Sequence, residues 1–259
     1  SGEGENTFFG CEAGSKVTTG NDNTLFGAKT GESLTTGGNN IGIGKDALKA
    51  ATTAEYNLVM GSSAGQAITT GARNSAIGYT ALDAVTTAND NLAIGYAACT
   101  AITSGERNVA IGNYALDANT SGIENVAIGH NALTNGTGVN RSVAVGGYAA
   151  NSVNGNYNVA IGWDAMYSAS SINNSVAIGY YALGSSSGDN NTAVGYESLK
   201  TNQTGTNNTA IGYRALEANT TVGGNTAVGT DAMKATTTGG WNAAVGYEAL
   251  SANTTGMLN

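Results

Sequence analysis

The chain contains no proline, a single histidine and only two cysteines, and charged residues make up just 11% of its 259 positions. Each shortage excludes something. Cys11 and Cys99 fall in repeats five steps apart, which at a strand spacing of about 4.8 Å puts them roughly 24 Å from each other. No intrachain disulfide spans that distance. His130 has no cysteine near it in sequence, so the spacing offers no metal site. The formal net charge of −8 leaves no basic stripe to neutralise phosphates, which argues against nucleic acid and against an anionic membrane surface. No apolar run approaches the length of a membrane span. What is abundant is glycine, 39 residues, alongside 41% hydrophobic residues at regular spacing, enough to fold despite the low charge.

That regularity is a repeat. One glycine recurs at 10, 27, 44, 61, 78, 95, 112, 129, 146, 162, 179, 195, 212, 229 and 246, with twelve intervals of seventeen residues and two of sixteen. Fidelity of this kind follows when each unit meets the same neighbours above and below. The fold class implied is all-β, a parallel β-solenoid (β-roll) of about fifteen rungs of 17 residues over 1–259, about 70 Å long at 4.8 Å per rung. The array reads as one continuous domain and as a segment of a longer fibrous protein, since neither end carries an atypical capping rung.

The columns of the repeat have separate meanings. Four residues before the glycine stands Asn in thirteen rungs and Ser in two, Ser142 and Ser175. Asn stacked on Asn at strand spacing forms an amide ladder. The three residues before the glycine alternate: Val, Ile or Thr, then Ala, then Ile or Val, as in Val109-Ala110-Ile111. Period two marks a short strand with two faces. The Val/Ile face is the natural core, with Ile111 and Ile128 buried and stacked. The Ala column, unbroken from Ala76 to Ala244, then lines a contact with another chain or a tight seam within this one. After the glycine, an Ala-Leu step such as Ala115-Leu116 anchors the return half, either a second strand or a tight turn. The rung closes on Thr-Thr-Gly, as at Thr35-Thr36-Gly37, where glycine supplies a positive φ. The early rungs differ, with Gly14, Gly31 and Gly65 in place of Leu and Gly42 in place of Ala, which reads as repacking toward a neighbouring domain.

Asn-Ser-Val-Ala-Ile-Gly at 174–179 and Asn-Thr-Ala-Ile-Gly-Tyr at 208–213 resemble the head repeats of trimeric autotransporter adhesins and the arrays of phage tail-fibre proteins. The resemblance spans essentially the whole chain; the period here is longer than in adhesin heads. It implies three copies side by side, a homotrimer, in a stalk or head that presents a receptor-binding region to a host cell-surface glycan or protein. It also implies an extracellular or virion-surface location.

Chemistry of other kinds finds no foothold. Catalysis needs unlike groups converging on one spot, whereas this repeat offers stripes. The acids (Glu12, Asp46, Asp83, Asp117, Asp164, Glu197, Asp231, Glu248) read as a solvated face, and no catalytic, cofactor or metal residue is assigned. Two stripes remain. Tyr79, Tyr96, Trp163, Tyr180, Tyr196, Tyr213 and Tyr247 directly follow the column glycine, either as an outward ribbon for sugars or protein or as rings packed over the next rung. The threonine pairs give the alternative function, an ice-binding surface, although adjacent threonines point to opposite sides of an extended backbone.

Overall fold

The computed structural model describes residues 4–259, with 1–3 outside the described residues. The chain divides into two compact units, Ser1–His130 and Asn131–Asn259, and each is a parallel β-solenoid. Every rung contributes one strand of three residues. The first unit holds β1 (Thr7–Phe9), β2 (Thr24–Phe26), β3 (Ile41–Ile43), β4 (Leu58–Met60), β5 (Ser75–Ile77), β6 (Leu92–Ile94), β7 (Val109–Ile111) and β8 (Val126–Ile128). The second holds β9 (Val143–Val145), β10 (Val159–Ile161), β11 (Val176–Ile178), β12 (Thr192–Val194), β13 (Thr209–Ile211), β14 (Thr226–Val228) and β15 (Ala243–Val245). Pairing is in register, so Val109, Ala110 and Ile111 of β7 meet Val126, Ala127 and Ile128 of β8.

The return half of the rung is a stack of turns, not a second strand. Its second and fourth residues after the glycine sit in the left-handed region, for example Tyr114 at φ 57° and Leu116 at φ 55°. Such residues cost about 1–2 kcal/mol each. The conformation persists because it aims backbone groups at the neighbouring rungs: the Tyr114 amide donates to the Tyr96 carbonyl at 2.9 Å and the Leu82 amide to Ala98 at 3.0 Å. The column glycine turns the corner between strand and return. Gly112 has φ 135°, and a Cβ there would lie 2.4 Å from the Gly129 carbonyl oxygen, so no side chain fits between the rungs.

The asparagine ladder is present and buried. In the first unit each Oδ1 accepts both the backbone N–H and the Nδ2–H of the next Asn: Asn91 Oδ1 receives Asn108 N and Asn108 Nδ2, each at 3.1 Å. Nδ2 also reaches the closing loop of the following rung, as from Asn91 to the Gly105 carbonyl at 2.9 Å. One side chain thereby ties strand, corner and loop together. In the second unit Ser142 and Ser175 keep part of this, their Oγ accepting the backbone N–H of Asn158 and Asn191.

The faces of the strand are the reverse of the expectation. The Ala column is the interior, with Ala110, Ala127 and Ala160 fully buried against the Leu column of Leu116, Leu133 and Met166. The Val/Ile columns face outward: Ile111 is half-buried and Ile128 is 36% exposed, so neither is a core residue. The reason is thickness. A rung with one short strand and a turn behind it has room for one large and one small side chain, and the turn supplies the large one.

The early rungs show this by exchange. Where the strand position is large, the turn position is glycine: a Cβ on Gly14 would meet the Phe8 ring at 2.7 Å, one on Gly31 would meet Leu25 at 2.7 Å, and one on Gly65 would meet Val59 at 3.3 Å. Where the strand position is Gly42, the turn keeps Leu48, whose Cδ1 would lie 3.5 Å from an added Cβ. These substitutions conserve volume inside the rung, which replaces the reading of repacking toward a neighbouring domain.

Candidate functional surface

The outward sheet face forms an uncharged band in each unit. In the first it consists of two columns, Thr7, Thr24, Ile41, Leu58, Ser75, Leu92, Val109, Val126 and Phe9, Phe26, Ile43, Met60, Ile77, Ile94, Ile111, Ile128, and neither contains a charged residue. Eight strands at about 4.8 Å and three residues of about 3.3 Å make a band of roughly 340 Å². That lies within the range of about 300–600 Å² for the largest apolar patch of a soluble monomer. Phe9 and Phe26 stack on this face with centroids 4.7 Å apart, while 65% and 52% exposed.

The aromatic stripe that follows the glycine is both outward and self-stacked. Tyr79 and Tyr96 stack at 5.5 Å in the first unit; in the second, Tyr180, Tyr196 and Tyr213 stack at successive centroid distances of 5.3 Å. Trp163 lies in the same column, and Tyr247 is the most exposed of the set. The two readings of the stripe therefore describe one arrangement, rings packed on the next rung and open to solvent. Stacked pairs of this kind stabilise by about 0.5–1.5 kcal/mol.

The threonine pairs lie in bends of the closing loop and divide into a bonded and an open member. The first hydroxyl donates to the carbonyl one rung on: Thr18 to Thr35, Thr35 to Thr52, Thr52 to Thr69 and Thr69 to Thr86, at 3.0–3.1 Å. The second threonine, at Thr36, Thr53, Thr70 and Thr87, is exposed.

Charges are more organised than a solvated face. Glu197 is buried, its two oxygens taken by Lys200 Nζ at 2.6 Å and Arg214 Nε at 3.0 Å. The Lys200 hydrogen bond, helped by Arg214, holds its carboxyl below the usual range. Burial raises Asp83 and Asp117 instead, and Asp117 accepts the Thr100 hydroxyl. On the corner before the strand, Arg73 pairs with Asp90 at 2.6 Å and Arg107 with Glu124 at 3.2 Å, a column of alternating sign. Cys99 is fully buried in the Leu column, which pushes its thiol far above the ordinary range and keeps it unreactive.

Among the described residues no group of three or more His, Cys, Asp or Glu is placed to hold a metal ion, and no helix is long and apolar enough to cross a membrane. One cluster of unlike residues does break the repeat. Tyr148, Trp163, Asp164, Tyr167 and Tyr181 surround an open recess of about 300 Å³ in the second unit. Only Trp163 belongs to the stripe read from the sequence. Tyr148, Asp164 and Tyr181 share the next column, the second residue after the glycine, in three successive rungs, and Tyr167 lies three residues beyond Asp164. The available signal was glycine at 147 and 184, positions that carry side chains in most rungs. Comparison with protein-family models and with curated proteins finds no match.

Proposed function

We propose that this chain is a structural attachment rod, of the kind found in phage tail fibres and bacterial surface adhesins, that assembles side by side as a homotrimer and presents a receptor-binding region outside the cell or on a virion. The observation that carries the proposal is the uncharged Val/Ile band on the outer face of the sheet. A rung too thin to bury these columns itself leaves them for another surface, and a second and third copy offer the same band at the same rung spacing. Because every rung repeats the match, the interface grows with rung number, toward the roughly 800 Å² per partner of a stable association. The interface lies on the Val/Ile columns, since the Ala column is consumed by the core.

Light scattering tests this. The wild-type mass is expected at three times 25.7 kDa. Val109→Glu with Ile111→Glu, which places two carboxylates on the band, is expected to give single chains with an unchanged circular dichroism spectrum, while Asp117→Lys keeps the trimer. A wild-type monomer would overturn the proposal. The exposed column Thr36, Thr53, Thr70 and Thr87 keeps ice binding as the rival reading. Ice shaping and thermal hysteresis by the purified protein would favour it.

A further inference from the structure

We infer that the recess bounded by Tyr148, Trp163, Asp164, Tyr167 and Tyr181 is a binding site for a neutral oligosaccharide with an extended run of equatorial hydroxyls, such as a β-1,4-linked glucose or N-acetylglucosamine chain. The inference deepens the attachment reading by giving the rod itself a ligand, and it does not require assembly.

The site is made by departures from the repeat that fit one another. The residue after the column glycine is Gly147 in one rung, and the indole of the next rung fills the space: a Cβ on Gly147 would lie 2.6 Å from Trp163 Cζ3 and 2.8 Å from Cε3. The indole thus rests on bare backbone and is still 54% exposed. One rung further, Gly184 does the same for Tyr181, whose Cδ1 would be 2.5 Å from an added Cβ. Trp163 and Tyr181 are thus each seated on glycine backbone. Tyr148 stands nearly perpendicular to both Trp163 and Tyr167, with centroids at 5.7 Å and 6.1 Å, and Tyr167 meets Tyr181 at 6.5 Å. Held by these contacts, the rings keep their positions at little conformational cost on binding.

The polar groups point to the ligand class. The Asp164 carboxyl lies beside the Trp163 indole N–H; burial raises its pKa and the indole N–H partly offsets the rise. The carboxylate oxygens have further lone pairs to accept sugar hydroxyls, and three tyrosine hydroxyls can donate or accept. No cation lines the recess, although Lys200 stands over the Tyr181 ring at 5.6 Å, and the chain carries a net charge of −8. An anionic glycan is therefore disfavoured. A pyranose whose hydroxyls are all equatorial presents axial C–H bonds on its faces, which suit the faces of the rings, and hydroxyls at its rim, which suit the carboxylate and phenols. The volume sits at the lower end of ligand pockets.

The test uses Trp163 as reporter in a Trp241→Phe background, where it is the sole tryptophan. Cellohexaose and chitohexaose are titrated while indole fluorescence and the indole N–H resonance are followed. Saturable binding is expected with at least one of them. Asp164→Asn and Gly147→Ala, read by the indole, and Trp163→Phe, read by isothermal titration calorimetry, are each expected to weaken it ten-fold or more with an unchanged circular dichroism spectrum. No saturation by either sugar at about 10 mM, affinity unchanged in Asp164→Asn and Gly147→Ala, or tighter binding of tetramethylammonium than of either hexasaccharide would each overturn the inference. A monomeric protein that still binds sugar would refute the trimer and leave the recess standing.

Discussion

Replacing Asn91 by Ala tests the ladder as the spine of the solenoid. Asn91 is 1% exposed; its Oδ1 accepts two hydrogen bonds from Asn108, and its Nδ2 donates to Asn74 Oδ1 and to the Gly105 carbonyl. Alanine leaves the Asn108 backbone N–H and one Asn108 amide hydrogen buried without an acceptor. Each stranded donor costs about 1–3 kcal/mol, so the loss is roughly 2–6 kcal/mol. Serine is the internal control. Its hydroxyl can take the backbone N–H as Ser142 does for Asn158 at 3.1 Å, leaving one stranded donor and a loss of about 1–3 kcal/mol. Urea unfolding followed by circular dichroism gives the global values. Native-state hydrogen exchange at the Asn108 amide reads the same damage locally, with much faster exchange in the Ala variant than in the Ser variant. If serine is no better than alanine, or both lie within about 0.5 kcal/mol of wild type, the ladder is ornament and the backbone alone holds the rungs.

Two further outcomes follow from the packing. Ala110→Leu overfills the rung and is expected to cost about 1–3 kcal/mol, and adding Leu116→Gly is expected to restore much of that, copying the natural pair Leu25 and Gly31; a double-mutant cycle with no coupling would refute the shared volume. Glu197→Gln is expected to lower stability by about 1–3 kcal/mol at neutral pH. Because the Glu197 pKa is lowered on folding, the stabilisation is complete above the unfolded carboxylate range and is lost as pH falls through the folded value, so the gap between variant and wild type should close in acid in urea titrations at successive pH.

Much of the fold was legible in the sequence because it repeats: the period, the glycine corner and the Asn column all follow from asking what one residue does when stacked on itself. The inside and outside of the strand were not. Alternation in Val109-Ala110-Ile111 announces two faces, and ranking by hydrophobicity puts Val and Ile within. That ranking ignores how thin a rung is. The correcting clue stood in the chain, where Phe8, Leu25 and Val59 each coincide with a glycine six residues on. The recess escaped for another reason. Tyr148, Asp164 and Tyr181 share the variable column second after the glycine and Tyr167 stands in another, whereas only the column directly after the glycine reads as an aromatic stripe.

In-register pairing also sets a problem for the folding chain. Rungs so alike can pair one step out of place with nearly full hydrogen bonding, so a unit could trap itself as a misthreaded coil with a looped-out rung. The individual departures act as locks against that error. A shifted Arg73 would face Arg107, and a shifted Leu25 would bring a second bulky residue beside Val59 where Gly42 belongs. The imperfections thus serve as addresses, telling each rung which neighbour is its own.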